Sequence, residues 1–395
     1  MNPAGHPYSI VCLSPQEWRV PLPTNRQQIM RRAAARGHEV LFVETSHFLG
    51  GHLLRLVRED GKRSLLRRLL ASEPVAPGVT AVKAVNLAPW GHKLAPACRL
   101  NNALTAWRLR RLVAALPQPV VAWLYDPCAA GVAARLDVAF TAYDCVDDYA
   151  EQTRGDARRR ALVTAADRSA ADLSRVVFAT SRTQQRRLRT LNANTHLVPN
   201  VGDHAHFAPA AERSFAAPEV AALPQPVIGF AGNMLPGKLD FELLERLARL
   251  RPEWTFLLVG PEPFPERTAR LRTLPNVHVV GARPYDELPR YVAGFDVGLI
   301  PYVANDYTRS CFPLKLYEYL AAGKPVVATG LPELAGMEPD VVLAADDEAV
   351  VAAIERGLAA RTAEDVARRA EIASRNTWET RAGTLLDLVA TELAC

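Results

Sequence analysis

The sequence predicts an α/β protein made of two doubly wound units, each with a parallel sheet covered by helices. Its 395 residues are enough for two or three domains. Short apolar runs alternate with longer segments of helical period. A proline-rich stretch near the middle interrupts this alternation. We therefore expect a first domain over 1–207, a linker over 208–226, a second domain over 227–375 and a final segment over 376–395.

The composition is that of an ordinary globular protein. Hydrophobic residues make up 49% and charged residues 23%, which excludes a disordered or collagen-like chain. A formal net charge of +5 is too small for general nucleic-acid binding. The six cysteines lack zinc-site spacing, so we expect free thiols and no metal. The sequence has no signal-like start and no run of about 18 apolar residues, which predicts a cytoplasmic protein.

The first unit opens with a βαβ pattern. A strand over 8–13 is followed by a helix over 26–36 and, after the Gly37-His38 stop signal, by a strand over 39–44. Further buried strands are predicted at 119–125, 138–143, 175–180 and 195–200. Residues 208–226 contain four prolines and many small residues without a clear period, which is typical of a linker.

The second unit repeats the same alternation. It begins with a strand over 227–232 and a helix over 240–250, and its tail over 348–395 is mostly helical. Between them we predict strands at 254–260, 276–281, 295–301 and 325–329, and a helix at 313–322.

The turn G-N-M-L-P-G-K-L, at 232–239, fits a phosphate-binding loop until its last position. Such a loop needs Ser or Thr to hold Mg²⁺, and Leu239 offers no oxygen. A glycine-rich turn with Lys238 still places N–H groups and a cation at a helix start, where phosphates are stabilised. The alternative is a tight turn with a solvated lysine.

The run P-L-K-L-Y-E-Y-L-A-A-G-K-P-V-V-A-T, at 313–329, has an apolar helical face followed by a buried strand. An exposed ion pair between Lys315 and Glu318 is one interpretation. The run also resembles the donor-nucleotide helix of retaining glycosyltransferases of the GT-B fold. Similar blocks of that family occur at 26–44, 143–149, 178–181, 198–207 and 376–389.

The resemblance implies the GT-B fold: two doubly wound, Rossmann-like domains facing across a cleft, with a C-terminal helix crossing back to the first domain. Two departures stand out. Many members carry two glutamates in an E-x7-E arrangement, and here Ser310 replaces the first. The usual Gly and Val are swapped at Val201 and Gly202.

The resemblance also implies a donor site in the second domain. Glu318 would accept hydrogen bonds from the ribose hydroxyls, and Lys238 would be catalytic, stabilising the diphosphate as it leaves. The loop at 281–285 would meet the base. No D-x-D triplet occurs, so no metal is expected at the diphosphate. The full predicted donor set is Gly232, Asn233, Lys238, Arg283, Pro284, Tyr285, Ser310, Cys311, Phe312, Pro313, Leu314, Lys315 and Glu318.

On the acceptor side, carboxylates follow the strand that ends at Tyr143. Asp147 is the predicted catalytic residue that orients an acceptor or donor hydroxyl, because ligands bind at strand carboxyl ends in open α/β sheets. Helix caps or solvated loop carboxylates are the alternative. The other predicted acceptor-side residues are Trp18, Arg26, Gln27, Asp144 and Asp148.

Residues 52–72 form a basic amphipathic segment, with six Lys or Arg among leucines at helical spacing. Such a helix can lie on an anionic membrane surface, which would suit a lipid-linked acceptor. The alternative is a helix that packs its leucines internally.

Together these features predict a retaining, metal-independent glycosyltransferase that uses a UDP- or GDP-linked sugar and no further cofactor. The expected acceptor is a glycan or lipid-linked molecule in polysaccharide or glycoconjugate synthesis. The expected location is the cytoplasm, at the inner face of the membrane. Two alternatives stay open: a nucleotide-sugar epimerase of related fold, and a catalytically silent nucleotide-sugar-binding subunit.

Overall fold

The computed structural model describes residues 7–44, 71–91, 93–153 and 155–395. The chain divides into two compact units. One is formed by the residues up to Pro199 together with Ala382–Cys395, and the other by Asn200–Arg381. Of the basic segment 52–72, only Ala71 and Ser72 lie within the described residues.

Among the described residues, the first unit forms a sheet of eight strands. The strands are β1 (Ser9–Ser14), β2 (Val40–Glu44), β3 (Ser72–Ala76), β4 (Val79–Lys83), β5 (Val120–Leu124), β6 (Phe140–Cys145), β7 (Val176–Ala179) and β8 (Thr195–Leu197). Their order is β3-β4-β2-β1-β5-β6-β7-β8, and neighbours are parallel except β3 with β4. β1, β2, β5, β6 and β7 are buried along their whole length, as expected of a sheet covered on both faces.

Helices cover this sheet. They are α1 (Asn25–Ala35), α2 (Ala95–Ala114), α3 (Ala130–Ala133), α4 (Ala157–Leu173) and α5 (Arg182–Arg189), with 3-10 helices at Pro127–Ala129 and Glu151–Thr153.

The sequence prediction missed the β3–β4 hairpin. Pro77 and Gly78 form its turn, and Gly78 has a φ of +70°, which favours glycine. β3 is exposed or half-buried throughout, so it lacks the continuous apolar run that marks a buried strand.

The second unit forms a parallel sheet with the order β11-β10-β9-β12-β13-β14. Its strands are β9 (Val227–Ala231), β10 (Thr255–Val259), β11 (Val277–Gly281), β12 (Val297–Pro301), β13 (Val326–Thr329) and β14 (Val341–Leu343). Its helices are α6 (His204–Phe207), α7 (Pro218–Ala221), α8 (Phe241–Leu250), α9 (Pro265–Thr268), α10 (Leu288–Val292), α11 (Asp306–Arg309), α12 (Lys315–Ala321), α13 (Asp347–Ala359) and α14 (Ala363–Arg375). Two parallel-sheet α/β units confirm the predicted fold class.

Short 3-10 helices complete the second unit. They lie at Ala208–Ala211, Arg213–Phe215, Leu271–Thr273, Tyr285–Glu287 and Pro332–Leu334.

The predicted linker over 208–226 is wrong. This stretch folds into short helical turns, and Ala210 and Val220 are buried in the core of the second unit. Proline is well accommodated at the first position of a helix, so a proline-rich stretch does not by itself indicate an open linker. The two units instead divide between Pro199 and Asn200.

The last helix, α15 (Trp378–Ala394), starts in the second unit and ends in the first. The Tyr8 hydroxyl donates a hydrogen bond to the Leu386 carbonyl at 3.4 Å, and the Arg175 guanidinium donates to the Glu392 carbonyl at 3.0 Å. No helix within the described residues is long and apolar enough to span a membrane.

A buried ion pair ties α14 to the residue just before β14. Asp340, just before β14, is 2% exposed and accepts hydrogen bonds from Arg368 and Arg369, each at 2.8 Å. Arg369 is itself 1% exposed and also donates to the Gly323 carbonyl at 3.2 Å.

We predict that Asp340→Asn lowers the free energy of unfolding of the second unit by about 3–5 kcal/mol, because the buried Arg369 loses its counter-charge. Urea denaturation followed by circular dichroism measures this. Glu371→Gln is the control: it removes only an exposed pair with Arg375, and the change should stay below about 0.5 kcal/mol. Similar losses in both variants would contradict the prediction.

Candidate functional site

The order in which strands are added to the second sheet reverses between β9 and β12. These two strands are adjacent in space but separated in sequence by β10 and β11. Ligands of open α/β sheets bind at strand carboxyl ends near such a switch point. At the ends of β9 and β10, Gly232 and Gly260 have φ values of +149° and +144°, which favour glycine. A Cβ on Gly260 would lie 2.0 Å from the Gly232 carbonyl oxygen. The close approach of the two strand ends therefore requires glycine at these positions.

Lys315 approaches this strand end from α12. A Cβ on Gly232 would lie 2.5 Å from the Lys315 Nζ. The ammonium group donates a hydrogen bond to the Tyr302 hydroxyl at 3.0 Å and lies 4.4 Å from the centre of the Phe230 ring. Within the described residues, no carboxylate forms a salt bridge with Lys315. The exposed ion pair with Glu318 is thus absent, and the lysine faces the strand ends.

Lys238 reaches the same tyrosine from the glycine-rich turn. Val303 N–H donates to the Lys238 carbonyl at 2.9 Å, which ties the turn to the residues after β12. The Lys238 Nζ donates to the Tyr307 hydroxyl at 3.5 Å and lies 5.2 Å from the centre of the Tyr302 ring.

Two ammonium groups therefore flank the buried Tyr302. Burial alone would raise the pKa of this phenol, but the charges of Lys238 and Lys315 outweigh burial and lower it. This is a strongly electropositive position, which suits an anionic ligand such as a diphosphate.

Glu318 lies one turn after Lys315 on α12 and is half-buried. Burial and the nearby Asp203 carboxylate raise the pKa of Glu318 to about 7, although Lys315 opposes the shift. Gly202 packs directly on the helix, since a Cβ there would lie 2.8 Å from the Tyr317 Cβ. The swapped order of Val201 and Gly202 thus puts the residue without a side chain against α12.

Two of the predicted donor residues between α11 and α12 bond to the backbone of α11. The Ser310 hydroxyl and Cys311 thiol both donate to the Tyr307 carbonyl, at 3.0 and 3.4 Å, and both side chains are buried. The helix begins at Lys315 instead of the predicted 313, because Leu314 is its N-cap. Of the remaining predicted donor residues here, Pro313 is buried, while Phe312 and Leu314 are half-buried.

The loop after β11 is held by side-chain contacts within the second unit. The Arg283 Nε donates to the Tyr291 hydroxyl at 2.5 Å, and that hydroxyl donates to Glu219 at 2.6 Å. The Tyr285 ring stacks on His206 with 4.4 Å between ring centres. Pro284 and Asn233 are exposed.

The second unit also has a cavity of about 550 Å³ near the ends of β12, β13 and β14. Lys238, Lys315 and Glu318 do not line it. Charged side chains in its wall already have partners within the protein: Arg246 pairs with Asp347 at 2.6 Å, and Asp346 caps α13. Tyr302 does line this cavity, so the cavity adjoins the lysine pair although neither lysine lines it.

The first unit contains a cavity of about 520 Å³ at the carboxyl ends of its central strands. Predicted residues Arg26 and Asp147 line it. Asp126, which follows β5, lines it too, and burial raises the pKa of its carboxyl although Arg26 and the Cys128 N–H oppose this. Hydrogen-bonding side chains complete its wall, among them Gln16, Asn86, Asn101, Asn102, Thr105, Gln152 and Thr153.

Four predicted acceptor-side residues do not line this cavity. Trp18 is buried and packs on Phe42, with 5.1 Å between ring centres. Gln27 is fully buried, accepts from Thr24 N–H at 3.1 Å and caps α1. Trp18, in the loop after β1, and Gln27, in the first turn of α1, thus both turn inward.

Asp144 and Asp148 also have structural positions. Asp144 is fully buried within β6. Asp148 accepts a hydrogen bond from Glu151 N–H at 3.1 Å and so caps the following 3-10 helix. The capping alternative that the sequence left open thus applies to Asp148.

Asp126 is an acidic cavity residue that the sequence analysis missed. The signal was present, because W-L-Y-D-P places an acid directly after a buried strand, as D-C-V-D-D does for Asp147. The described residues contain no group of three or more His, Cys, Asp or Glu side chains that could hold a metal ion.

Comparison with known proteins relates part of this chain to a family and its fold to solved structures. Residues 225–360, which include Lys238, Lys315 and Glu318, match the family model Glycosyl transferases group 1. The fold matches Anabaena Alr3699/HepE, solved with UDP and glucose, at 17% identity and a TM-score of 0.64, covering 98% of this chain and 100% of that one. It also matches a UDP-forming α,α-trehalose-phosphate synthase from Burkholderia xenovorans, at 14% identity and a TM-score of 0.65, covering 97% and 99%. The chain thus has the GT-B fold, and residues 225–360, within its second unit, are similar to group 1 glycosyl transferases.

One curated relative is more similar in sequence. Over 118 residues the chain is 43% identical to TuaH of Bacillus subtilis (strain 168), which is named as a teichuronic acid biosynthesis glycosyltransferase. The match spans 29% of this chain and 30% of TuaH.

We predict that Glu318 titrates near pH 7 instead of its ordinary 4.5. Carbon-13 NMR of glutamate-labelled protein, assigned with Glu318→Gln, measures this. Asp203→Asn should lower the pKa because a like charge is removed, and Lys315→Met should raise it because an attractive charge is removed. A Glu318 signal that titrates near 4.5 in all three proteins would contradict the prediction.

Proposed function

We propose that this protein transfers a sugar from a UDP-linked donor to a hydroxyl group of a glycan acceptor during polysaccharide synthesis. The observation that carries the proposal is the pair of ammonium groups, Lys238 and Lys315, around Tyr302 at the switch point of the second sheet. The group 1 family match covers this same part of the chain. The UDP bound in the Anabaena structure and the name of the TuaH relative support the choice of nucleotide and of pathway.

In the proposed reaction, the bond between the sugar's anomeric carbon and the diphosphate oxygen breaks, and the acceptor oxygen forms a bond to that carbon. Negative charge builds up on the departing diphosphate, which takes the proton of the acceptor hydroxyl. Lys238 and Lys315 stabilise this charge where it develops. Glu318 accepts hydrogen bonds from the ribose diol, a role that needs the ionised carboxylate. Because the Glu318 pKa is about 7 before donor binds, donor affinity falls as pH decreases through that value.

We further propose that the transfer proceeds with retention and without a metal ion. The retaining outcome rests on the resemblance of the donor helix at 313–320. The lack of a metal requirement rests on two lysines at the diphosphate position and on a sequence without a D-x-D triplet. The cavity of the first unit would hold the acceptor, with Asp147 and Asp126 accepting hydrogen bonds from its hydroxyls.

The proposal predicts that UDP-sugar is consumed, that sugar appears on an added glycan acceptor, and that turnover survives excess chelator. Lys238→Ala should reduce turnover by roughly 10²–10³-fold, because one electrostatic stabiliser of the transition state is lost. Arg249→Ala removes an exposed charge on α8 that pairs with Glu245, and it should leave turnover unchanged.

Radiolabelled donor and product separation distinguish the alternatives. Isomerised sugar on the nucleotide would indicate an epimerase, and binding of UDP without any turnover would indicate a silent subunit. A rate that vanishes with chelator and returns with Mn²⁺ would overturn the metal-free mechanism.

We also propose contact between the first unit and an anionic membrane. Trp90 is 62% exposed and Trp107 is 71% exposed, both on the segment that includes α2. Arg99, Arg110 and Arg111 are exposed on the same helix, which carries no acidic residue. Exposed tryptophan beside arginine suits the boundary between lipid headgroups and acyl chains.

We predict that the protein floats with anionic vesicles at low salt, binds neutral vesicles poorly, and is released as salt rises, because exposed charges are screened. The double variant Trp90→Ala/Trp107→Ala should float less. Phe264→Ala, at an exposed aromatic residue of the second unit, is the control and should float as the parent does. Equal flotation of all three proteins would refute the proposed membrane contact through this surface. It would leave the segment 52–72 as the only membrane contact suggested by the sequence.

A further inference from the structure

Arg26 is a buried cation in the wall of the first unit's cavity. It lies in the first turn of α1, is 6% exposed and lines the cavity beside Asp126, Asp147 and Tyr149. Burial of a guanidinium costs free energy unless the group is paired and hydrogen-bonded. The partners of Arg26 therefore indicate its role.

The partners of Arg26 are neutral. One terminal nitrogen donates to the Tyr149 hydroxyl at 2.6 Å and the other to the Thr24 hydroxyl at 3.2 Å. Its Cζ lies 5.6 Å from the centre of the Tyr125 ring. Its Nε is buried without a hydrogen-bond partner in the described part of the chain.

No described carboxylate approaches Arg26 closely enough for a salt bridge, although Asp126 and Asp147 share the cavity. A guanidinium has five N–H donors, and the observed bonds with described residues use two of them. Tyr149 and Thr24 therefore orient the guanidinium, and Asp147 and Asp126 attract its charge without forming a salt bridge with it.

Asp126 and Asp147 are placed to bind hydroxyl groups. Asp126 accepts a hydrogen bond from Cys128 N–H at 2.9 Å, which fixes the carboxyl at the end of β5. Carboxylates and side-chain amides in one cavity accept and donate hydrogen bonds to the hydroxyls of a polyol. Arg159, exposed on α4, adds a second positive charge to the cavity wall.

We propose that the acceptor is a polyol carrying one anionic group, a carboxylate or a phosphate, and that Arg26 binds this group while the aspartates and amides bind its hydroxyls. Arginine matches both anions because its planar fork can donate two parallel hydrogen bonds. This inference rests on the proposed function, since it names the acceptor class for that reaction.

The first test is direct binding to the full chain, which needs no turnover. Calorimetry would compare glucuronate, glucose 1-phosphate, glucose and the neutral methyl ester of glucuronate. We expect the two anions to bind, with the stronger one identifying the group, and both neutral sugars to bind roughly 10- to 100-fold more weakly. Equal binding of neutral and anionic sugars would overturn the inference.

The second test uses variants. Arg26→Gln should weaken anion binding roughly 10- to 100-fold, and Arg26→Lys, which keeps the charge but loses the fork, should lie between this variant and the parent. Arg31→Gln, on the same helix but outside the cavity, is the matched control. Circular dichroism confirms folding, and Arg26→Lys is the variant to use if Arg26→Gln is unstable. Anion binding that is unchanged in both Arg26 variants would overturn the inference.

UDP affinity separates this inference from the proposed function. It should be the same in Arg26→Gln and in the parent, because Lys238, Lys315 and Glu318 belong to the other unit. A loss of UDP affinity in the variant would show that Arg26 serves the donor and would overturn the acceptor assignment. Anion binding without any sugar transfer would support the site while refuting the transferase activity.

Discussion

The position of Lys315 depends on a steric constraint at the end of β9. Gly232 and Gly260 bring two parallel strand ends into contact, and any side chain at either position would occupy space already filled by backbone or by the lysine. Because of this, an ammonium group can lie against the strand ends, where its charge acts on Tyr302. The electropositive character of the site therefore depends on glycine, which has no Cβ atom, at both positions.

The candidate residues of the second unit lie on continuous segments, so the sequence could predict their relative positions. Lys238 lies in a turn between a strand and a helix, and Lys315 and Glu318 lie one turn apart on α12. Spacing along one element determines such relations. The sequence could not show that Lys315 turns to Tyr302 instead of Glu318, since that choice depends on packing against β9 and β12.

The first unit was harder, because its cavity collects residues from many elements. Trp18 and Asp147 follow strand ends closely in sequence and Gln27 lies in the first turn of α1, yet only Asp147 of these three lines the cavity. Whether such a side chain points to a ligand or to the core depends on tertiary contacts that periodicity does not record. The same limit explains the linker, where proline content was visible but the burial of Val220 was not.

The return of α15 to the first unit has a consequence for how the chain folds during synthesis. Domains generally fold as they emerge from the ribosome, at about 5–20 residues per second. The first unit would be made early, but its last piece, Ala382–Cys395, follows the whole of Asn200–Arg381. For roughly 10–40 s the nascent first unit must therefore expose the surface around Tyr8 and Arg175 that α15 later covers.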